Sequence, residues 1–285
     1  MTSQKAKSVI FILLWALSFT ASMSLLKTLH GSVPTVILVF TRSIFGCLVS
    51  GGMVSRYGLK ALQTNRLPLH FFRILLGAGG IFCTYYAYSV LPLALATSIG
   101  FTGPLMTTLM ALLFLGESIS RQRWMGILVG YAGVLLIVRP EGGMVSLAIL
   151  VALAANIFAS GSIITAKKLS GTDHPAVIMA LSNGINFLLM AIPAFIYWRS
   201  FSLKEILLLC GVGLCGSISQ YFQINAIRWA SPSFLAPFEY LRLVFALPIG
   251  WFFFNEAPSL IQFLGSLTII GGTYYVTKSE KQNLR

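Results

Sequence analysis

Charge is what this sequence has least of. Only 9% of its 285 residues are Asp, Glu, Lys or Arg, and the acidic ones number seven, whereas soluble globular domains are about a quarter charged. So few charges cannot clothe a water-facing surface, so a soluble domain of this length is excluded. Cysteine and histidine are scarce too. Cys47, Cys83, Cys210 and Cys215 lie in apolar runs without CxxC or Cys/His ligand spacing, and His30, His70 and His174 fall in or beside different connections. The thiols read as packing residues, and neither a metal site nor a cofactor is expected. HExxH, GxSxG and Walker A sequences are also missing. Hydrolase chemistry is therefore not expected, nor is ATP use within this chain.

Apolar sequence is what abounds: 56% of residues are hydrophobic and the mean hydropathy is +0.84. A transmembrane helix needs about 20 mainly apolar residues. On that rule the chain divides into ten spans, at 8–26, 33–54, 69–90, 93–115, 124–138, 145–166, 175–198, 206–226, 232–254 and 260–277. Barrel strands would be shorter and would alternate in hydrophobicity, so the expected class is an all-α integral membrane protein. The first span follows Lys5 and Lys7 and could pass for a secretory leader, with Thr20-Ala21-Ser22 as a loose cleavage site. Removing it would unbalance the chain, so it is read as helix 1.

The net charge of +13 would suggest a nucleic-acid partner in a soluble protein, but here it follows the positive-inside rule. With the N-terminus in the cytoplasm, the inner segments collect Lys5, Lys7, Arg56, Lys60, Arg66, Arg73, Arg121, Arg123, Lys167, Lys168, Arg228, Lys278, Lys281 and Arg285. The outer ones hold only Lys27, Arg139, Arg199 and Lys204. Both termini are thus expected in the cytoplasm. The expected partners are lipid and a small molecule, not nucleic acid.

One segment occurs twice. FLGESISRQRWMGILVGYAG at 114–133 and FFNEAPSLIQFLGSLTIIGG at 253–272 share Phe114/Phe253, Glu117/Glu256, Ser120/Ser259, Gly126/Gly265, Leu128/Leu267 and Gly133/Gly272. A weaker similarity pairs Tyr85 with Tyr221, Ala94 with Ala230 and Leu105 with Leu241. The chain therefore reads as two five-helix units, 1–139 and 140–285. An odd number of spans per unit makes the second enter the membrane in the opposite sense, a pattern found in secondary transporters. Glu117 then lies inside, beside Arg121 and Arg123, and Glu256 outside, each expected to cap a helix or bond a neighbouring loop. Gly and Ala recurrences, such as GAGG at 77–80, are expected to let helices pack closely.

Charges within a bilayer cost about 2.5 to 3.5 kcal/mol or more at a helix centre, and Arg42, Glu239 and Arg242 fall about 10 to 15 Å deep at 1.5 Å per residue. Glu239 and Arg242, three apart, can pair directly, or can exchange partners with a substrate's carboxylate and cation. Arg42 has no partner in its own helix, and Glu239, a carbonyl, water or substrate are its options. Pro104 and Pro237 bend or break their helices. Trp15, Tyr85, Tyr221, Asn156 and Gln220 lead a set of aromatic and amide residues that could stack on a flat ring, face a cation or bond a heterocycle's edge. Tyrosines near helix ends also serve as interfacial anchors.

TGP at 102–104 followed by FLGE at 114–117, WMGILVGYAG at 124–133, and APFEYLRLVFA at 236–246 followed by FNE at 254–256 resemble the drug/metabolite transporter superfamily, specifically its EamA-type carriers. The resemblance covers nearly the whole chain. It implies two five-helix repeats in a bacterial inner membrane and metabolite transport without catalysis. ATSIGFTGPL together with APFEYLRLV is most similar to the bacterial S-adenosylmethionine uptake group, although Glu239 and Arg242 reverse the order of charges in the member compared. The expectation is a secondary carrier working by alternating access, with S-adenosylmethionine uptake foremost and export of amino acids or other metabolites second. A membrane-embedded enzyme or structural subunit is the remote third.

Overall fold

A computed structural model describes residues 3–29, 32–57, 64–90, 99–138, 147–254 and 260–282, and these contain helices and turns but no strand. In chain order the helices are α1 (Ser3–Thr28), α2 (Thr35–Tyr57), α3 (Leu67–Val90), α4 (Gly103–Leu115), α5 (Arg121–Val138), α6 (Leu147–Leu169), α7 (Pro175–Ile196), α8 (Leu203–Trp229), α9 (Pro232–Glu239), α10 (Leu241–Phe254) and α11 (Leu260–Gln282). Helices dominate because a bilayer offers no partner for an open backbone donor or acceptor. Six of them, α1, α2, α3, α6, α7 and α8, are long and apolar enough to cross a membrane. Of the remaining predicted spans, the fourth is described as the short helix α4, while α5 and α11 have 18 and 23 residues. The ninth, expected as one helix over 232–254, is divided into α9 and α10.

Local sequence sets where helices begin and end. Ser202 and Glu205 form a capping box at the start of α8, which satisfies two otherwise open N–H groups. Pro175 opens α7 behind His174, whose side chain accepts from the Ala176 N–H. Gly116 closes α4 at φ 65°, a left-handed conformation that glycine adopts without a Cβ clash. This explains the glycine of FLGE.

The helices pack in defined pairs: α1 lies along α8, α3 along α6, α2 along α7 and α5 along α11. Apolar side chains fill these seams, as in the cluster of Ile12, Trp15, Phe234, Leu235 and Phe238 between α1 and α9. The periphery carries Phe71, Phe72, Leu113, Ile192, Phe195 and Phe252 more than half exposed, the outward apolar surface that lipid demands. At the α5–α11 seam an ideal Cβ on Gly133 would stand 2.8 Å from the Gly265 carbonyl oxygen, and one on Gly272 would stand 3.2 Å from that of Gly126. The early glycine of each helix thus faces the late glycine of the other, so α5 and α11 run antiparallel with their backbones nearly touching.

Among the described residues, one end of the bundle is tied together by several bonds between neighbouring connections. His70 Nε2 and Thr64 Oγ1 each meet Asp173 Oδ2 at 2.7 Å, joining the start of α3 to the α6–α7 turn. Lys167 Nζ donates to the carbonyls of Ile227 (2.7 Å) and Ala230 (2.9 Å) at the end of α8, where open acceptors and the helix dipole favour a cation. Ser233 at the start of α9 donates to Glu117 and accepts from Arg123 at 3.1 Å. Glu117 thus bonds a neighbouring element, as expected of it. At the other end Arg199 bonds Glu205 and the Ser32 carbonyl.

Burial pushes the Asp173 carboxyl up, but hydrogen bonds from His70, Thr64 and Thr172 outweigh it and hold the group below the ordinary carboxylate range. A lowered pKa in the folded state stabilises above the unfolded value of about 4 and is lost as pH falls through the lowered one. Melting curves of the purified protein should therefore lose stability on acidification below about pH 4, and Asp173→Asn, less stable at neutral pH, should flatten that loss; parallel curves would contradict the assignment. Gly133→Ala should lower the melting temperature, overpacking costing about 1–3 kcal/mol. Gly184→Ala on α7, with nothing within 4 Å of its Cβ position, should be neutral or stabilising.

Candidate functional site at two interrupted helices

The backbone breaks twice near the middle of the bundle. Pro237 removes an N–H from α9, and the helix stops at Glu239. Leu243 N–H then turns back to the Tyr240 carbonyl at 3.0 Å, and α10 starts afresh at Leu241. Tyr240 is fully buried. Its ring fits against α5 only because residue 130 is glycine, where a Cβ would stand 2.5 Å from the ring. A second interruption precedes α4. Thr102 N–H bonds Ile99 O at 2.9 Å, and regular helix resumes at Gly103-Pro104. Asn156 of α6 braces this turn, its Nδ2 donating to Ile99 O at 2.7 Å and to Thr102 Oγ1 at 2.9 Å.

The break decides what the central charges do. Glu239 and Arg242 lie on either side of the break at Tyr240, and no ion pair joins them among the described residues. The direct pairing expected from their spacing is therefore not formed. Glu239 is 9% exposed and has no hydrogen bond among the described residues. The Arg242 guanidinium instead rests among aromatic rings, 4.3 Å from the Phe101 centroid, 5.4 Å from Phe19 and 6.0 Å from Trp15. Its Nε is buried without a partner. Thr20 Oγ1 donates to the Arg242 carbonyl at 3.2 Å, fixing α10 against α1.

Other expected residues are dispersed. Arg42 packs against Gly216 of α8, where the Ser22 hydroxyl also points. Ser22 and Thr20 project to opposite sides of α1, two residues being about 200° of helical turn. Arg42 and Arg242 thus flank α1 on opposite sides. Tyr221 meets Phe11 edge-on at 6.4 Å and packs against Leu169, Ile178, Met179 and Ile224. Gln220 is half-buried beside it. The side chain of Tyr85 lies outside the described residues, as does Glu256.

Several central residues escape a reading by residue type. Arg73, counted above as an inner-segment charge, is 8% exposed within α3 and donates to Ser182 of α7. Asn183 on α7 is buried, leaves its Nδ2 without a partner and presses into α2 where Gly46 leaves room. Arg73 was detectable, because it lies inside an apolar run. Phe19 and Phe101 were not: among 21 phenylalanines nothing in type or spacing singles out two that face a cation.

The EamA-like transporter family model matches residues 6–139 and again 146–278. The S-adenosylmethionine uptake transporter of Rickettsia bellii is 31% identical over 274 residues, 95% of this chain and 94% of that protein. The riboflavin transporter of Brucella anthropi is 28% identical, covering 89% of this chain and 91% of that one. The pseudopaline exporter CntI of Pseudomonas aeruginosa is 28% identical and covers 96% of each. A crystal structure of a protein 20% identical matches with a TM-score of 0.82 over 99% of both chains, a likeness of fold.

Asn156 lies at the site but spends its amide on bracing the backbone. Replacing it with Ala removes the two hydrogen bonds that tie α6 to this turn, each worth about 0.5–1.5 kcal/mol. The Asn156→Ala protein should melt several degrees lower even before any substrate is added. An unchanged melting curve would refute the bracing role.

Proposed function

The chain belongs to the EamA-like transporter family, and we propose that it is a secondary carrier moving a small organic metabolite by alternating access, with S-adenosylmethionine uptake as the leading activity. It is a transporter rather than an enzyme, as are the relatives named above, and a multi-pass membrane protein. The observation that carries the proposal is the pair of interrupted helices with Glu239 and Arg242 held unpaired between them. Charge is expensive at such depth unless it serves a pathway.

The proposed carrier has two inverted five-helix halves, 1–139 and 140–285, ten spans in all, and both termini in the cytoplasm. The packing supports this reading. If α1 to α5 correspond in turn to α6, α7, α8, α9 with α10, and α11, then the α1–α8 and α3–α6 contacts exchange with each other, while α2–α7 and α5–α11 map onto themselves. The antiparallel register of Gly126/Gly133 against Gly265/Gly272 fits a two-fold axis in the membrane plane, since an axis along the normal would pair parallel helices. Gathering of Lys5, Arg123, Lys167 and Arg228 at one end is consistent with that end being cytoplasmic.

S-adenosylmethionine combines a flat base, a sulfonium and an amino-acid carboxylate, and the proposed contacts divide accordingly. Glu239 and the aromatic rings take the cationic part, Arg242 the carboxylate, and Tyr221, Gln220 and Arg42 line the path further out. Asn156 positions the interrupted helix. The exporter relative favours a second reading, outward transport of a carboxylate-bearing metabolite, because buried Arg73 and half-buried Arg242 both make no ion pair with a carboxylate among the described residues.

Proteoliposomes should take up labelled S-adenosylmethionine saturably. Glu239→Gln and Arg242→Ala should each cut that uptake by about ten- to a hundredfold, the loss of one charge-assisted contact. Uptake indifferent to both changes would reject the site, and no saturable uptake would reject the substrate. Raised resistance of cells to a toxic metabolite on overexpression would favour export.

A further inference from the structure

Arg242, a half-buried arginine whose Nε is fully covered, is held in an unusual way. Three rings surround it: Trp15 and Phe19, four apart on one face of α1 and stacked at 5.6 Å, and Phe101 at the interrupted start of α4. Trp15 and Phe101 are each 4% exposed and Phe19 is half-buried, so the box is dry at its base with one softer wall. Arginine carries five N–H donors, yet Nε finds no acceptor here. Glu239, the acid nearest in sequence, stands beyond the break at Tyr240 and makes no ion pair with it. The rings supply attraction to charge but do not satisfy this donor.

A site built in this way suits a cation with no hydrogen to donate. Guanidinium and ammonium ions lose hydrogen bonds to water on entering and recover few among π faces, whereas a sulfonium or quaternary ammonium has none to lose and keeps the full attraction of the rings. We propose that Trp15, Phe19 and Phe101 form the recognition box for a sulfonium or quaternary ammonium group, and that Arg242 is its tethered occupant, displaced when such a group enters. Once displaced, Arg242 has two anions to meet, Glu239 and a carboxylate carried by the cargo itself. The proposal rests on the transport reading above and sharpens it: the cargo's cation is selected for lacking N–H donors, and its anion for reaching a released arginine.

The test uses the full-length protein purified in detergent, with trimethylsulfonium, tetramethylammonium and methylammonium as probes of binding by thermal shift and tryptophan fluorescence. Removing a tethered competitor should strengthen binding, so Arg242→Gln should bind trimethylsulfonium about tenfold more tightly than wild type. Phe101→Leu should lose that binding. Weaker or unchanged binding in a folded Arg242→Gln protein would overturn the proposal, because an arginine that merely shapes the box would not compete with its ligand. Should that variant not fold, wild type decides by rank order: trimethylsulfonium and tetramethylammonium must bind better than methylammonium, and the reverse order refutes the box. These outcomes are independent of uptake. Probe binding with no S-adenosylmethionine transport would leave the box and reject that cargo, while transport without the rank order would reject the box alone.

Discussion

A helix crosses a bilayer because each of its backbone donors and acceptors is satisfied within it, and the centre of this protein is built where that condition is suspended. Two helices stop and restart, at Tyr240 and ahead of Gly103. Each interruption needs outside support, and the supports account for much of the surrounding sequence. Asn156 bonds the carbonyl freed at Ile99. Gly130 clears space for the buried ring of Tyr240, and Thr20 holds the backbone at Arg242. None of these side chains needs to touch cargo to be indispensable.

The break also governs the electrostatics. Had α9 and α10 been one helix, Glu239 and Arg242 would lie one above the other and could neutralise each other, as three-residue spacing permits. Turning the chain at Tyr240 separates them, leaving an acid and a base within one short segment, each without its natural counterion. Pairs of opposite charge held apart in a poorly solvated interior are costly. That cost is returned when something bridges or exchanges them, so the separation makes binding, rather than rest, the better-satisfied condition.

Hydropathy alone made the all-helical architecture legible, because lipid leaves little choice of backbone structure. Six of the ten apolar runs fall on helices long and apolar enough to cross a membrane. The glycines of the repeated segment were also legible, since they recur for the same reason in both copies: α5 and α11 meet backbone to backbone. What the sequence could not convey were effects of direction. Glu239 and Arg242 share a face in an ideal helix, and only the turn at Tyr240 undoes this. Arg73 counts as an inner-segment charge by its place near the start of its span, yet it donates to Ser182 of α7 inside the bundle. Asn156 could be recognised as a polar residue in lipid, but whether its amide faces cargo or backbone depends on where α4 begins, and a list of residue types does not contain that.

On the inverted arrangement proposed here, symmetry and chemistry have separate tasks. The two halves match where they must move, along the α5–α11 seam and the exchanged α1–α8 and α3–α6 pairs, and differ where they must bind. Glu239 and Arg242 have Gly103 and Met106 as their counterparts in the first half. This asymmetry suits a carrier with one cargo site, since a duplicated charge pair would place four ionised groups in the same narrow space. It bears on the return step as well. On the proposal that Arg242 fills the aromatic box between loads, the cation site is not left empty when the cargo leaves. The same arginine that answers the cargo's carboxylate then stands in for its cation on the way back.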